Sequence, residues 1–269
     1  SLIWMLSALS AQSQPTGPAE GFTRLTVPLI ADGKPVAIDT AVEGYLFRPA
    51  GKGPFPAVVL IHGCDGMDWQ RPGQAGWKLL RSYAERYVGH GFVALVLDSF
   101  RPRGITDVCG NPEKVAPPRR AWDAYSAARL LRALPYVDPH RLLLQGDSHG
   151  GWTVLVALQT RKTSPPEQFT AAIAFYPWCY QPASFTAPVL ILIGEADDWT
   201  PAGRCRDMMA DLAAGSAPVT LETFPGATHA FDFPYPPRTN GLGHYMAYNA
   251  MATAASLQAI DRFVATTLK

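Results

Sequence analysis

Residues 141–159 read RLLLQGDSHGGWTVLVALQ, and this stretch decides the fold. An apolar run is followed by a G-x-S-x-G pentapeptide centred on Ser148 and then by an apolar helical pattern. A strand, a sharp turn and a helix in that order lift a serine hydroxyl above the edge of a parallel sheet. Glycines on either side keep side chains out of such a crowded turn. The alternative is that Ser148 only caps the helix, but the context favours a nucleophile.

The rest of the chain repeats this alternation of strand and helix from about residue 40 onward. Short apolar runs rich in branched residues predict buried strands at residues 57–61, 92–97, 142–144, 171–175, 189–193 and 219–224. Two leading strands, at residues 22–28 and 42–48, are predicted to run antiparallel to the rest. Helical patterns cover residues 77–87, 122–131, 148–159, 202–214 and 245–268. The order predicts an α/β fold with a mostly parallel central sheet and helices on both faces.

The segments between the predicted strands are short, which limits what can cover the site. About a dozen residues separate the strand that ends near Tyr176 from the one that starts near Val189, which leaves no room for a separate lid domain. Residues 21–269 are therefore predicted to form a single domain, roofed at its site by loops alone.

A serine hydroxyl needs a base within hydrogen-bond reach to act as a nucleophile near neutral pH. Of the six histidines, His229 lies in a glycine-containing loop after the last predicted strand, at the sheet edge where such sites form. His244 is the main alternative. The acid should lie between the serine and the histidine in the chain. Asp197 and Asp198 both follow the strand at 189–193, and the residues alone leave both open.

Stabilisation of a developing oxyanion is expected from two backbone N–H groups. That of His149 lies at the start of the helix that follows Ser148. The segment IHGCDG, at residues 61–66, places a His-Gly pair after a strand, which favours the N–H of Cys64 as the second donor. The alternative is a simple glycine-rich turn.

These motifs resemble those of the dienelactone hydrolase family of α/β-hydrolases. The resemblance rests on IHGCDG (61–66), LDSFRPRG (97–104), QGDSHGG (145–151), FYPWC (175–179), LIGEADDWTPAGRC (192–205) and FPGATHAFD (224–232). It implies an α/β-hydrolase fold, with Asp197 as the acid and His229 as the base. The best-known members carry cysteine at the nucleophile position and a glutamate near the first loop, whereas this chain has Ser148 and an HGC loop. The difference favours a more general esterase over a dienelactone-specific enzyme.

The expected function is hydrolysis of carboxylic esters or lactones of small soluble substrates, through an acyl-enzyme and without a cofactor. The alternatives are a peptidase or amidase on the same fold, and a non-catalytic secreted binding protein. Aromatic and arginine side chains in the loops after the strands are expected to bind the substrate: Trp69, Phe100, Arg101, Arg103, Trp178, Trp199 and Phe231. Aromatic walls suit flat acyl groups, and arginines could bind a substrate carboxylate. The alternative is that these side chains pack loops or face water.

The overall composition disfavours two classes of partner. The formal charge is +1 and no basic stripe is present, so nucleic acid is not expected as a partner. No stretch approaches the roughly 20 apolar residues that span a bilayer. Residues 1–20 are predicted to form a flexible leader, and SLIWMLSALSA at 1–11 resembles the end of a secretory signal. A periplasmic or secreted protein is therefore expected, with a cytoplasmic one as the alternative.

The four cysteines follow strands in two neighbouring pairs, Cys64 with Cys109 and Cys179 with Cys205. An exported protein would favour bridges within these pairs, and the alternative is four buried thiols. None of the cysteines forms a C-x-x-C pair and no histidine has metal-ligand spacing, so no metal site is expected.

Overall fold

The computed structural model describes residues 21–31, 34–35, 41–68, 70, 75–160, 165, 168–180 and 184–269. The predicted leader, residues 1–20, lies outside them. The strands are β1 (Thr23–Val27), β2 (Ile30–Ala31), β3 (Lys34–Pro35), β4 (Val42–Phe47), β5 (Phe55–Ile61), β6 (Val93–Asp98), β7 (Val137–Asp147), β8 (Ala171–Phe175), β9 (Val189–Gly194), β10 (Val219–Phe224), β11 (Arg238–Thr239) and β12 (Tyr245–Met246). The α-helices are α1 (Ala75–Gly89), α2 (Pro117–Arg132), α3 (His149–Leu158), α4 (Ala202–Ala210) and α5 (Ala250–Thr267).

Eight strands form the central sheet in the order β1-β4-β6-β5-β7-β8-β9-β10. The six strands from β6 to β10 in this order are parallel, and their side chains are largely buried, as expected for strands covered on both faces. Strand β4 is antiparallel to β6, as predicted. Strand β1 is antiparallel to β4 and therefore runs in the same sense as the parallel strands, so its predicted direction was wrong.

The helices cover both faces because the chain changes direction across the sheet after β6. From β5 the chain passes through α1 to β6 on one side, and from β6 through α2 to β7 on the other. Right-handed crossovers then place α1 and α2 on opposite faces. Helices α2 and α3 pack together, whereas an ion pair between Arg86 and Asp261 joins α1 to α5. The predicted α/β fold class is confirmed.

The last helix starts later than its pattern predicts. The sequence predicts a helix from Tyr245, but α5 begins at Ala250, because the Asn249 side chain accepts a hydrogen bond from the Ala252 N–H and caps the helix there. Tyr245 instead lies in β12, which pairs with β11 in a two-stranded ribbon that the sequence did not predict. None of the helices in the described ranges is long and apolar enough to cross a membrane.

Two disulfides join loops at the carboxyl edge of the sheet. Cys64 bonds to Cys109, which ties the loop after β5 to the loop after β6. Cys179 bonds to Cys205, which ties the loop after β8 to α4. These are the two neighbouring pairs, so the alternative of four buried thiols was wrong.

We predict that Gly150→Ala destabilises the fold, because a Cβ at this position would lie 2.4 Å from the carbonyl oxygen of Ile61. Overpacking against backbone costs about 1–3 kcal/mol or more. Gly203→Ala in α4 is the matched control, since its Cβ would meet nothing within 4 Å. Helix propensity should make it neutral or stabilising by less than about 1 kcal/mol. Urea unfolding of both variants checks this, and equal midpoints would contradict it.

Candidate active site

Ser148 forms the turn between β7 and α3 in a strained backbone conformation. Its φ is 52° and its ψ is −114°, a region that costs a non-glycine residue free energy. The turn is tight: a Cβ on Gly146 would lie 2.5 Å from the carbonyl oxygen of Gly150. The Ser148 N–H donates a hydrogen bond to the Phe175 carbonyl at 2.9 Å, which anchors the turn to β8. This anchored backbone conformation directs the hydroxyl outwards at the edge of the sheet.

The Ser148 hydroxyl lies next to a histidine and an aspartate that follow two other strands. Its Oγ is 3.0 Å from His229 Nε2, and His229 Nδ1 is 2.8 Å from Asp197 Oδ2. A carboxylate can only accept, so Nδ1 carries the proton and Nε2 accepts the hydrogen bond from Ser148. Both His229 and Asp197 are buried. The structure thus brings together Ser148, His229 and Asp197, the last of which only the family resemblance favoured, from loops far apart in the chain.

Asp197 is held in place by its own loop. Its Oδ1 accepts hydrogen bonds from the backbone N–H groups of Trp199, at 2.9 Å, and Thr200, at 2.8 Å. The Thr200 hydroxyl lies 2.9 Å from Oδ2. Together these donors engage both carboxylate oxygens. The carboxylate therefore faces His229 in one fixed orientation.

The two residues that the sequence left as alternatives form a pair of their own. Asp198 Oδ1 lies 3.1 Å from His244 Nδ1. The Trp199 ring separates this outer pair from the inner one: it stacks on His244 with ring centroids 4.9 Å apart and lies 4.8 Å from the centroid of His229. His244 and Asp198 therefore do not contact Ser148.

A buried arginine links the two segments from which oxyanion donors were predicted. Arg120 Nη1 donates to His149 Nδ1 at 2.7 Å, and Nη2 donates to the His62 carbonyl oxygen at 2.6 Å. Arg120 thereby ties the start of α3 to the loop after β5, which carries Cys64. The sequence reading did not select Arg120. The available signal is its position four residues before Ala124 and eight before Ala128, on the buried face of α2.

Burial and the neighbouring Arg120 charge together keep His149 neutral. Burial, with a further contribution from the Arg120 charge, lowers the pKa of His149 to about 3. The neutral ring accepts from Arg120 at Nδ1, and its Nε2–H donates to the Pro112 carbonyl at 3.0 Å. Burial lowers the pKa of Arg120 to about 10, which leaves it charged near neutral pH.

Two cavities meet at Ser148. The larger, of about 400 Å³, is bordered by His229 and Ser148 and by the polar side chains of Asp65, Asp107, Asp147, Tyr235, Arg238 and Asn240. The smaller, of about 310 Å³, is bordered by Cys64, Cys109, Pro112, Ser148, His149, Trp152, Trp178, Trp199 and Thr200. Burial, with the nearby Asp65 and Asp232 carboxyls, raises the pKa of Asp147 well above its usual range. The neutral form is therefore favoured, and it can donate as well as accept a hydrogen bond.

The residues predicted to bind substrate divide into two groups. Trp178 borders the smaller cavity, and Trp199 borders both. The other four predicted residues that the structure describes border neither cavity, because aromatic packing or ion pairs direct their side chains away from Ser148. Phe100 packs on His62 and Phe231 on Tyr176, while Arg101 pairs with Glu43 and Asp98, and Arg103 binds Asp123 with both terminal nitrogens. Trp69 lies outside the described residues. The sequence reading missed Trp152, whose signal is its place one turn after Ser148 on α3.

Comparison with known proteins assigns the family. The family model described as "Dienelactone hydrolase family" matches residues 42–268. The chain belongs to the dienelactone hydrolase family. Membership confirms the predicted hydrolase of esters or lactones and the α/β-hydrolase fold. The putative dienelactone hydrolase from Klebsiella pneumoniae subsp. pneumoniae MGH 78578 has a similar structure: its TM-score is 0.68 and its identity 21%, over 90% of this chain and 97% of that chain.

Two named sequences are similar to parts of the chain. The quorum-quenching protein AidA of Acinetobacter baumannii (strain MDR-ZJ06) is 31% identical over 118 residues, which are 44% of this chain and 35% of that protein. A probable 2-oxo-3-(5-oxofuran-2-ylidene)propanoate lactonase of Bradyrhizobium sp is 26% identical over 211 residues, which are 70% of this chain and 77% of that protein. The chain thus spans about a third of the first relative and most of the second.

We predict that His149 makes the fold sensitive to acid. Its pKa in the folded chain, about 3, lies below the ordinary value of 6.5, so between these values the unfolded chain binds a proton that the folded chain does not. The contribution of His149 to the free energy of unfolding is therefore fully present above pH 6.5, and it is lost as the pH drops towards 3. At pH 5 the loss is about 2 kcal/mol.

His149→Asn keeps an acceptor near Arg120 but has no titratable ring. The variant should therefore lose about 2 kcal/mol less of its free energy of unfolding than the wild type between pH 7.5 and pH 5. Denaturant unfolding at both pH values measures it, with the exposed His140→Asn as control. Equal pH dependence in wild type and His149→Asn would contradict the prediction.

Proposed function

We propose that this protein is a serine hydrolase that cleaves esters or lactones of small substrates through an acyl-enzyme. Ser148 is the nucleophile, His229 the general base and Asp197 the residue that orients the base. The observation that carries the proposal is the continuous series of contacts from Ser148 Oγ through His229 to Asp197, located where two cavities meet. The family membership supports it.

The reaction follows from the positions of these groups. Ser148 Oγ attacks the ester carbonyl carbon while its proton passes to His229 Nε2, and the carbonyl π-electrons move to the oxygen. When the tetrahedral intermediate collapses, the bond to the leaving oxygen breaks and His229 gives that oxygen the proton. Water then attacks the acyl-enzyme with His229 again as base, and Ser148 is regenerated. Asp197 holds the His229 ring and stabilises its protonated form, and no step uses a cofactor.

The oxyanion is proposed to bind the backbone N–H groups of His149 and Cys64. Such donors contribute most when their positions are fixed before the reaction starts. Two features fix them here: Arg120 joins the two segments through the His149 ring and the His62 carbonyl, and the disulfide to Cys109 holds Cys64. The positions of both donors are therefore fixed before the substrate binds.

Small esters and lactones are the substrates that the observations favour. The lactonase name of the Bradyrhizobium relative supports a lactone carbonyl as one target. The β11–β12 ribbon, through Arg238 and Met246, borders the larger cavity together with loops. The two cavities have volumes of about 400 and 310 Å³, which suit small molecules. A non-catalytic binding protein would not need the aligned Ser148, His229 and Asp197. Covalent labelling of Ser148 by a fluorophosphonate distinguishes a hydrolase from such a binding protein. Comparison of the hydrolysis rates of a matched ester and amide distinguishes an esterase from a peptidase or amidase.

We predict that the inner aspartate and the outer one differ sharply in their effect on catalysis. Ser148→Ala, His229→Ala and Asp197→Asn should each lower kcat by about three to four orders of magnitude or more, because the three groups act as a unit. Asp198→Asn is the matched control and should change kcat by less than about threefold, since its partner is His244. Steady-state kinetics on a soluble ester measures both. A larger loss in Asp198→Asn than in Asp197→Asn would overturn the assignment.

The two disulfides favour an oxidising compartment, and we propose the periplasm or the extracellular space. The prediction is that the unreduced protein, unfolded in guanidinium, contains no thiol that reacts with Ellman's reagent, and that four react after reduction. Replacing both cysteines of one bridge by serine should lower the free energy of unfolding by about 2–4 kcal/mol. Four reactive thiols before reduction, in protein isolated from its own compartment, would contradict the localisation.

A further inference from the structure

We infer that the smaller cavity binds the acyl group of the substrate, and that the enzyme prefers esters of aromatic carboxylic acids with polar alcohols. The inference rests on the proposed function and adds the substrate class to it. Its basis is that the two cavities beside Ser148 differ in chemistry and that only one of them is bordered by His229.

The position of His229 determines which part of the substrate enters which cavity. The tetrahedral carbon formed on Ser148 Oγ carries three other groups: the oxyanion, the leaving oxygen and the acyl carbon chain. The leaving oxygen must reach His229 Nε2 to receive its proton, and His229 borders the larger cavity. The oxyanion faces the N–H groups of His149 and Cys64. The acyl chain therefore extends in the remaining direction, into the smaller cavity.

The walls of the smaller cavity suit a flat aromatic group. Three indole rings, those of Trp152, Trp178 and Trp199, border it together with the Cys64–Cys109 disulfide. The one titratable ring on this wall, that of His149, is buried and neutral. Aromatic rings favour offset or edge-to-face contact with another ring, which a linear alkyl chain cannot provide.

Two of these rings are fixed before substrate binds. The Arg204 guanidinium lies 4.1 Å from the centroid of the Trp178 ring. The next residues in the chain, Cys179 and Cys205, are joined by a disulfide, so the ring and the cation are held together at two adjacent positions. Trp199 stacks on His244 at 4.9 Å. Because the rings are already ordered, the substrate does not have to immobilise them, which strengthens binding.

The larger cavity suits a polar alcohol. Apolar side chains such as Phe233, Leu242 and Met246 border it, but so do carboxyl, guanidinium, amide and phenol groups, which are largely absent from the smaller cavity and hydrogen-bond well to hydroxyls. Two acidic side chains, those of Asp65 and Asp107, against one guanidinium, that of Arg238, disfavour an anionic leaving group. The alcohol part of the substrate is therefore neutral and hydroxylated.

The test is kcat/KM for the 2-hydroxyethyl esters of benzoic, cyclohexanecarboxylic and acetic acid. The alcohol is the same in all three, and the first two acyl groups have rings of the same size. We expect kcat/KM for the benzoate to exceed that of both other esters about tenfold, although benzoate esters are intrinsically less reactive than acetates.

Trp178→Leu should lower the benzoate-to-acetate ratio of kcat/KM about tenfold, and Trp178→Phe should restore part of it. Trp122→Leu, which replaces a tryptophan that packs on Tyr125, is the matched control and should keep the ratio.

A second variant separates the two cavities. Arg238→Met should change the ratio between 2-hydroxyethyl and ethyl benzoate by about threefold or more, and it should leave the benzoate-to-acetate ratio unchanged. If Trp178→Leu alters the alcohol preference and not the acyl preference, the assignment of the cavities is wrong.

Active-site titration with a fluorophosphonate counts the folded, competent sites in every variant, so that misfolding does not imitate a change in preference. If the wild type is labelled at Ser148 and hydrolyses the acetate at least as well as the benzoate, this inference fails and the proposed function stands. If Ser148 is not labelled and none of the esters is cleaved, the proposed function itself fails.

Discussion

The close approach of backbone to backbone around Ser148 is the constraint on which the site depends. Helix α3 can start directly beneath the serine only because Gly150 allows contact with the carbonyl oxygen of Ile61 at the end of β5. The same approach forces Ser148 into a strained conformation with φ of 52°. Side chains at Gly146 or Gly150 would move α3 outwards, and the hydroxyl would no longer point at the cavities. The fold therefore offsets local strain in one residue with packing across three strands.

The remaining groups of the site reach Ser148 because parallel strands end at one edge of the sheet. Cys64 follows β5, Asp197 follows β9 and His229 follows β10, so each functional group has its own strand behind it. Charge is arranged on two sides of the serine. Asp197 is the anion behind His229, and Arg120 is the cation behind His149 and the loop after β5. Neither ion is required to touch the substrate, and each orients a group that does.

The sequence predicted best those features that local motifs encode. The strand, turn and helix around Ser148 are contiguous, so their pattern was sufficient. The order of the strands also predicted which cysteines are neighbours, although it left open whether they are bridged. Asp197 and Asp198 could not be separated from the residues alone, because adjacent side chains on a loop point in different directions that only the tertiary structure decides. They turn out to serve different histidines.

Side-chain direction also explains which other predictions failed to reach the site. Arg101 and Arg103 do follow a strand at the site edge, but their side chains turn to Glu43 and Asp123, which lie far away in the sequence. Position after a strand brings a residue near the edge without determining where its side chain points. Arg120 was missed for the opposite reason. A charged residue in a helical pattern suggests a solvent-facing position, and burial of this one depends on partners in two other segments.

The Cys64–Cys109 bridge borders both cavities, so it is part of the binding surface as well as a cross-link. An aromatic side chain in its place could rotate about its torsions and transfer volume from one cavity to the other. A bridge whose two ends belong to different backbone loops cannot swing aside in this way. Part of the wall beside Ser148 is therefore completed by an oxidation that follows translation. The compartment in which the chain matures thus contributes to the shape of the binding site, and substrate range is a property of the matured protein.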